Sequence, residues 1–164
     1  LGNMVAVPVA VFVAGQLGER VDFLSVGSYD LTQYILAVDR NNPSVAELYE
    51  AYHPAVLQAL SQVAKAGLQA GKPVSICGEL AGDPGAAILL MAMGYDSLSM
   101  SATNLPKVKS VLRGISQSEA QELLSKVLDL CEIADIHAAI DDLLEAKGIT
   151  RLFGERIKRR HLNS

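Results

Sequence analysis

Cysteine is scarce in this chain of 164 residues, which has only Cys77 and Cys131. They lie far apart, with no CxxC pair and no histidine at ligand spacing, so neither a zinc site nor a disulfide framework is indicated, and a cytoplasmic location is expected. Charge is also sparse: 20% of residues are charged against 50% hydrophobic. With only 6 prolines and no low-complexity tract, disorder and fibrous classes are excluded. A membrane-spanning run is missing as well. The most apolar stretch, Met4 to Gly15, is too short to cross a bilayer, contains Pro8 and lacks the basic leader of a signal peptide, so it reads as buried structure with no membrane partner. The net charge of −4 gives no reason to expect nucleic-acid binding. Five of the fourteen basic residues (Arg151, Arg156, Lys158, Arg159 and Arg160) nevertheless crowd positions 151–164, which read as a solvated, flexible basic tail.

What remains is enough apolar material for one domain with a sizeable core. Short β-branched runs alternate with longer helical ones, the pattern of βαβ units and a parallel sheet. Strands are expected at Met4 to Val7, Val21 to Val26, Val74 to Cys77 and Ser97 to Met100. The first is followed by a helix through about Arg20, and the second by a loop that opens a helix at Asp30. Ser44 and Glu47 have capping-box spacing ahead of a long helix from Pro54 to Gly71, whose glycine suits a C-cap. Asp83 and Pro84 supply an N-cap and first-turn proline for a helix ending at Gly94. Asn104 to Arg113, Ser118 to Cys131 and Asp135 to Lys147 read as three more helices, the second behind a Ser116/Glu119 capping box. Four strand–helix units are half of a (β/α)8 barrel. The fold expected is therefore α/β: about the C-terminal half of a TIM-type barrel over residues 1–150, with a C-terminal helical cap. A small open sheet is the alternative. The start of the chain almost directly on a strand favours a fragment.

In such folds chemistry gathers at the C-terminal ends of strands. Three polar clusters fall there: Gly27-Ser28-Tyr29-Asp30, Asp39-Arg40-Asn41-Asn42 and Cys77-Gly78-Glu79-Leu80-Ala81-Gly82-Asp83. The first offers backbone amides to an anion and a carboxylate to a divalent cation, or plain helix capping by Ser28 or Asp30. The last places a thiol after a buried strand, where it can serve as acid or nucleophile or be an inert core cysteine. Spacing alone leaves both alternatives open.

The run Asp22-Phe23-Leu24-Ser25-Val26-Gly27-Ser28-Tyr29-Asp30-Leu31-Thr32-Gln33-Tyr34, continuing to Leu36-Ala37-Val38-Asp39-Arg40, resembles the signature DF-S-G-(T/S)-NDLTQY-LAVDR of phosphotransferase-system enzyme I. Cys77-Gly78-Glu79 and Ala81-Gly82-Asp83 resemble its CGE-AGD motif. The likeness continues through Leu98-Ser99-Met100-Ser101, and the Asn41-Asn42 and His53-Pro54 context is closest to the nitrogen-branch form. The resemblance implies a phosphoenolpyruvate–protein phosphotransferase. Its barrel binds phosphoenolpyruvate with Mg²⁺, passes the phosphoryl group to a histidine on a separate N-terminal domain that feeds a phosphocarrier protein, and releases pyruvate after protonating the enolate. Carried over residue by residue, it implies Cys77 as the acid, Asp30 as a Mg²⁺ ligand, Arg40 on the substrate's anionic groups, and Gly27, Ser28 and Tyr29 at the phosphate. Glu79 and Asp83 would orient the cysteine loop.

Two positions break the pattern. The family's second metal ligand is a glutamate where this chain has Ala6, which cannot bind magnesium. The asparagine expected before Asp30 is Tyr29, which removes an amide and adds a ring. The phosphohistidine and further arginines of the family lie in parts this sequence does not include. Because phosphoryl transfer relies on positioning and charge neutralisation, no turnover is expected of the chain alone. The open sheet edges of a half barrel predict pairing with another chain as a homodimer. The alternative reading is a degenerate phosphoenolpyruvate-binding domain with a regulatory or scaffold role.

Overall fold

In the computed structural model, residues 1–39 and 41–149 are described. Strands β1 (Gly2–Val5), β2 (Phe23–Gly27), β3 (Val74–Cys77) and β4 (Ser97–Ser99) form one parallel sheet in the order β1-β2-β3-β4. The sheet does not close into a barrel; β1 and β4 are its edges among the described residues.

Side chains alternate across the sheet as extended strands require. Val5, Val26, Ile76 and Leu98 lie in register on one face, the first three fully buried. Helices α1 (Pro8–Phe12), α2 (Ala14–Gly18), α3 (Ser28–Leu36), α4 (Pro54–Ala70) and α5 (Pro84–Met93) supply the rest of the core. The opposite face carries Met4, Ser25, Ser75 and Ser97 in one row and Gly27, Cys77 and Ser99 in the next. Met4 and Phe23 on this face are exposed. The sheet is therefore covered by helices on one side, and its other side carries small and polar residues together with the exposed Met4 and Phe23.

The most regular elements are those with local start and stop chemistry. Asp83 caps α5 by accepting from the amides of Gly85 at 2.8 Å and Ala86 at 3.1 Å, and Gly71 and Gly94 end α4 and α5 in left-handed conformations. Gly67 has a packing reason to be glycine in mid-helix, since a Cβ there would meet the Val74 Cγ2 at 2.1 Å. Helix α4 thus lies close against β3.

Several boundaries depart from the sequence expectation. The first helix is two short ones broken at Val13, whose backbone (φ −109°, ψ 13°) leaves the helical region. Val9, Val11 and Val13 are β-branched and Gly15 is permissive, so little local propensity holds a single helix together. Ser44 and Glu47 form no capping box. The turn Ala46–Leu48 is a single 3₁₀ turn without a side-chain cap, and the amide of Ser44 is instead taken by Asn42 Oδ1 at 3.0 Å. Helices α6 (Leu105–Gly114), α7 (Gln117–Leu128) and α8 (Ile133–Ala146) pack chiefly on α5 and on one another. They extend the helical layer beyond α5. The basic segment 151–164 lies outside the described residues.

The capping box at α7 does form. Ser116 Oγ accepts from the Glu119 amide at 3.3 Å, and Glu119 Oε2 accepts from the Ser116 amide at 2.9 Å and from its hydroxyl at 2.7 Å. The other Glu119 oxygen pairs with Lys147, just past α8. Lys147 first, and then the Ser116 amide and hydroxyl, lower the Glu119 carboxyl to a pKa of about 2 from 4.5. A depressed folded-state pKa adds stability above the unfolded value, and that stability is lost as pH falls through the folded one. Urea unfolding should therefore show wild type more stable than Glu119→Gln at neutral pH, with the gap shrinking steadily below about pH 4.5. A gap that stays constant down to about pH 3 would contradict this.

Candidate functional site

A partly buried hydrogen bond links the start of α3, at the C-terminal end of β2, to the end of β3. Ser28, the first residue of α3 and only 4% exposed, donates from Oγ to the carbonyl of Cys77 at 2.8 Å. The Cys77 thiol reaches back to the carbonyl of Val26 at 3.5 Å. Gly27, Cys77 and Ser99 share one register row, so the thiol lies on the helix-free face, partly exposed. The next residue must be glycine twice over. Gly78 has φ +112°, a region costly for a side chain, and a Cβ there would sit 2.3 Å from Ser28 Oγ and 3.2 Å from the Tyr29 ring.

Tyr29 crosses the strand ends. Its hydroxyl donates to Glu79 Oε2 at 2.9 Å, and its carbonyl accepts from the Tyr49 hydroxyl at 3.4 Å. The ring therefore lies between two cavities. One, of about 330 Å³, is bordered by Ser28, Tyr29, Tyr49, Tyr52, Glu79 and Asp83. The other, of about 380 Å³, holds Cys77 together with Tyr29, Glu79, Ser99, Ser101 and Asn104. A larger depression of about 900 Å³ lies away from the strand ends, between α1, α2, α3 and α4, near Phe12 and Tyr34.

Asp30 is exposed in the first turn of α3. A Cβ on Gly27 would lie 3.6 Å from the Ala6 methyl and 4.0 Å from Asp30 Oδ2, so Ala6 and Asp30 flank Gly27 from β1's end and α3's start. A hard cation needs oxygen ligands. This spot offers one carboxylate and one methyl, and no group of three His, Cys, Asp or Glu side chains suited to a metal occurs among the described residues. The residues present do not fit a metal held by the protein's own side chains.

Of the expected site residues, Gly27, Ser28, Tyr29, Asp30 and Cys77 gather at adjacent strand ends, whereas Arg40 lies outside the described residues. Beside Arg40, Asp39 Oδ1 accepts from the Asn41 amide at 2.9 Å. Asp83 is a structural hub: besides capping α5, its Oδ1 accepts from the Tyr52 hydroxyl at 2.6 Å. Tyr52 in turn packs against His137 of α8, with ring centroids 4.6 Å apart. Tyr49, Tyr52 and Asn104 line the cavities without having been singled out from the sequence. Asn104 was hidden by its position, because an asparagine before a helix reads as an N-cap, yet its side chain makes no cap bond.

The described residues thus form an α/β domain whose parallel strands carry a thiol, a carboxylate and a buried helix start at their C-terminal ends. Residues 1–117 match the family described as PEP-utilising enzyme, PEP-binding domain, and the chain belongs to that family. The "Phosphoenolpyruvate-dependent phosphotransferase system" protein of Salmonella typhimurium is 42% identical over 149 residues, 91% of this chain and 20% of that protein. The "Phosphoenolpyruvate-protein phosphotransferase" of Haemophilus influenzae is 42% identical over 144 residues, 88% of this chain and 25% of its own. That of Buchnera aphidicola subsp. Acyrthosiphon pisum is 45% identical over 130 residues, 79% and 23% of the two chains. The chain thus spans a fifth to a quarter of the length of these relatives. Among the described residues no helix is long and apolar enough to cross a membrane.

The Ser28–Gly78 contact predicts a coupled pair. Ser28→Ala should cost about 1 kcal/mol by losing the bond to the Cys77 carbonyl, and Gly78→Ala roughly 2–3 kcal/mol from strained backbone and crowding. In urea unfolding the double variant should lose less than the sum of the two, because removing Oγ relieves the contact. Strict additivity would contradict the contact.

Proposed function

We propose that this chain is the enolate-protonating part of a phosphoenolpyruvate–protein phosphotransferase, working with elements beyond those described. The observation that carries the reading is the placement of Cys77, on the helix-free face of the sheet, beside the buried start of α3, within a stretch that belongs to a phosphoenolpyruvate-binding family.

In this reading the Gly27–Ser28 backbone approaches the phosphate, and a histidine on an N-terminal domain attacks phosphorus. The P–O bond breaks with its electron pair leaving on the enolate oxygen. The Cys77 thiol then gives its proton to the methylene carbon, pyruvate departs, and the thiolate regains a proton from water. A partly exposed thiol can act as such an acid. Arg40 would neutralise anionic charge, as a guanidinium fork does for phosphate or carboxylate. No step is assigned to magnesium, because Ala6 leaves Asp30 without a second protein ligand.

The helix-free sheet face and the two open edges support the view that the four strands are about half of a TIM-type barrel over residues 1–150, completed by further chain or by a second copy in a homodimer, since parallel sheets are ordinarily covered on both faces. Residues 151–164 would form a basic tail. The Asn41-Asn42 and His53-Pro54 context supports the nitrogen branch, with a phosphocarrier protein as acceptor and a cytoplasmic location.

A second reading, a domain that binds phosphoenolpyruvate for regulation or as a scaffold, is favoured by Ala6 and by the Tyr29–Glu79 bond, which ties down a ring where the family has a small amide. Calorimetric titration of phosphoenolpyruvate with and without Mg²⁺, into the chain and into an Ala6→Glu, Tyr29→Asn double variant, tests the roles of both positions. Magnesium-dependent binding is expected in the double variant, at least about tenfold tighter than in wild type, or about 1.4 kcal/mol. Equal affinities, or an affinity indifferent to Mg²⁺ in both, would contradict them.

A further inference from the structure

We propose that Asn104 is a substrate-binding residue that holds the carboxylate end of phosphoenolpyruvate beside Cys77; this rests on the phosphotransferase reading above. Asn104 lies just before α6 and borders the cavity of about 380 Å³ that contains the thiol. It is partly buried, and its side chain makes no cap bond to the helix it precedes. A carboxamide carries two donor hydrogens and an acceptor oxygen, and a partly buried one left without partners is costly unless water or a ligand satisfies it.

The fold makes room for this side chain. Gly82 is buried without a left-handed backbone, so conformation alone does not demand glycine there. Space does: a Cβ on Gly82 would lie 2.6 Å from Asn104 Nδ2 and 3.4 Å from its Cβ and Cγ. The Asn104 side chain is packed close against Gly82 in the loop that follows Cys77, and any larger residue at position 82 would push it away.

Topology gives the ligand a direction. In the order β1-β2-β3-β4, Ala6 and Asp30 lie at the β1–β2 end, Cys77 ends β3, and Asn104 follows β4. With the phosphate over the Gly27–Ser28 backbone and the methylene carbon at Cys77, the carboxylate extends toward Asn104. Among the described residues Glu79 is the only charged one lining this cavity, and one of its oxygens already accepts from Tyr29. The neutral Asn104 N–H groups are thus suited to receive an anion there. With Ala6 in place of a metal-binding carboxylate, the substrate carboxylate also needs donors from the protein.

The test uses the protein in its full natural length and measures dissociation constants for phosphoenolpyruvate, for pyruvate (carboxylate without phosphoryl group) and for inorganic phosphate. Asn104→Ala should weaken phosphoenolpyruvate and pyruvate about tenfold to a hundredfold, as loss of a hydrogen bond to a charged group does, and leave inorganic phosphate within about twofold. Asn104→Asp keeps the packing on Gly82 but replaces donors by a negative acceptor, so it should weaken both carboxylates further, with an unfolding midpoint close to wild type. Unchanged carboxylate binding in both variants, or equal losses for inorganic phosphate, overturns the assignment of Asn104 alone. Failure of the wild type to bind phosphoenolpyruvate overturns the phosphotransferase reading, and this inference with it.

Discussion

The hydrogen bond from Ser28 to the carbonyl of Cys77 is the joint on which the candidate site is built. It fastens the first turn of α3 to the end of β3, and it can form only because position 78 has no side chain and can take a positive φ. A buried hydroxyl that found no acceptor here would carry a desolvation cost comparable to the bond itself. Once the two strand ends are locked in this way, the thiol is held on the helix-free face, and Tyr29 is carried across to Glu79.

The frame behind this joint is the helical layer, and its precision comes from close packing more than from helix propensity. Gly67 lets α4 approach β3, and Gly82 lets Asn104 lie against the loop after Cys77. Asp83 draws Tyr52 and the start of α5 together, and Tyr52 passes that anchorage to His137 in α8. The C-terminal helices therefore brace the cysteine loop from behind, although they touch neither cavity except through Asn104 at the start of α6. The buried hydroxyl of Tyr95, its pKa pushed far upward by desolvation, donates a hydrogen bond to the Leu60 carbonyl at 3.1 Å and ties the end of α5 to α4.

Elements with strong local chemistry were legible in the sequence: β3, the Pro54 to Gly71 helix, the Asp83-Pro84 start and the Ser116/Glu119 box each combine a start signal with a stop signal or periodicity. Ser44 and Glu47 show the limit of such spacing, since Asn42 captures the Ser44 amide first and the segment settles into turns. Pro8 to Arg20 failed as one helix because valines and glycine leave it without internal support. Within the site, motif residues near β2 and β3 could be named in advance, whereas Tyr49, Tyr52 and Asn104 reach the cavities through long-range packing that no local pattern encodes. The open four-stranded sheet fits both expected outcomes, half a barrel and a small open sheet, because four strand–helix units carry no signal for what pairs with the edge strands.

The decisive measurement is a crystal structure of the full natural protein with phosphoenolpyruvate bound. Ligand density is expected at the C-terminal ends of β2 and β3, with the methylene carbon against the Cys77 sulfur and the phosphate over the Gly27–Ser28 backbone. Density only elsewhere, for instance in the depression near Phe12 and Tyr34, would contradict this placement.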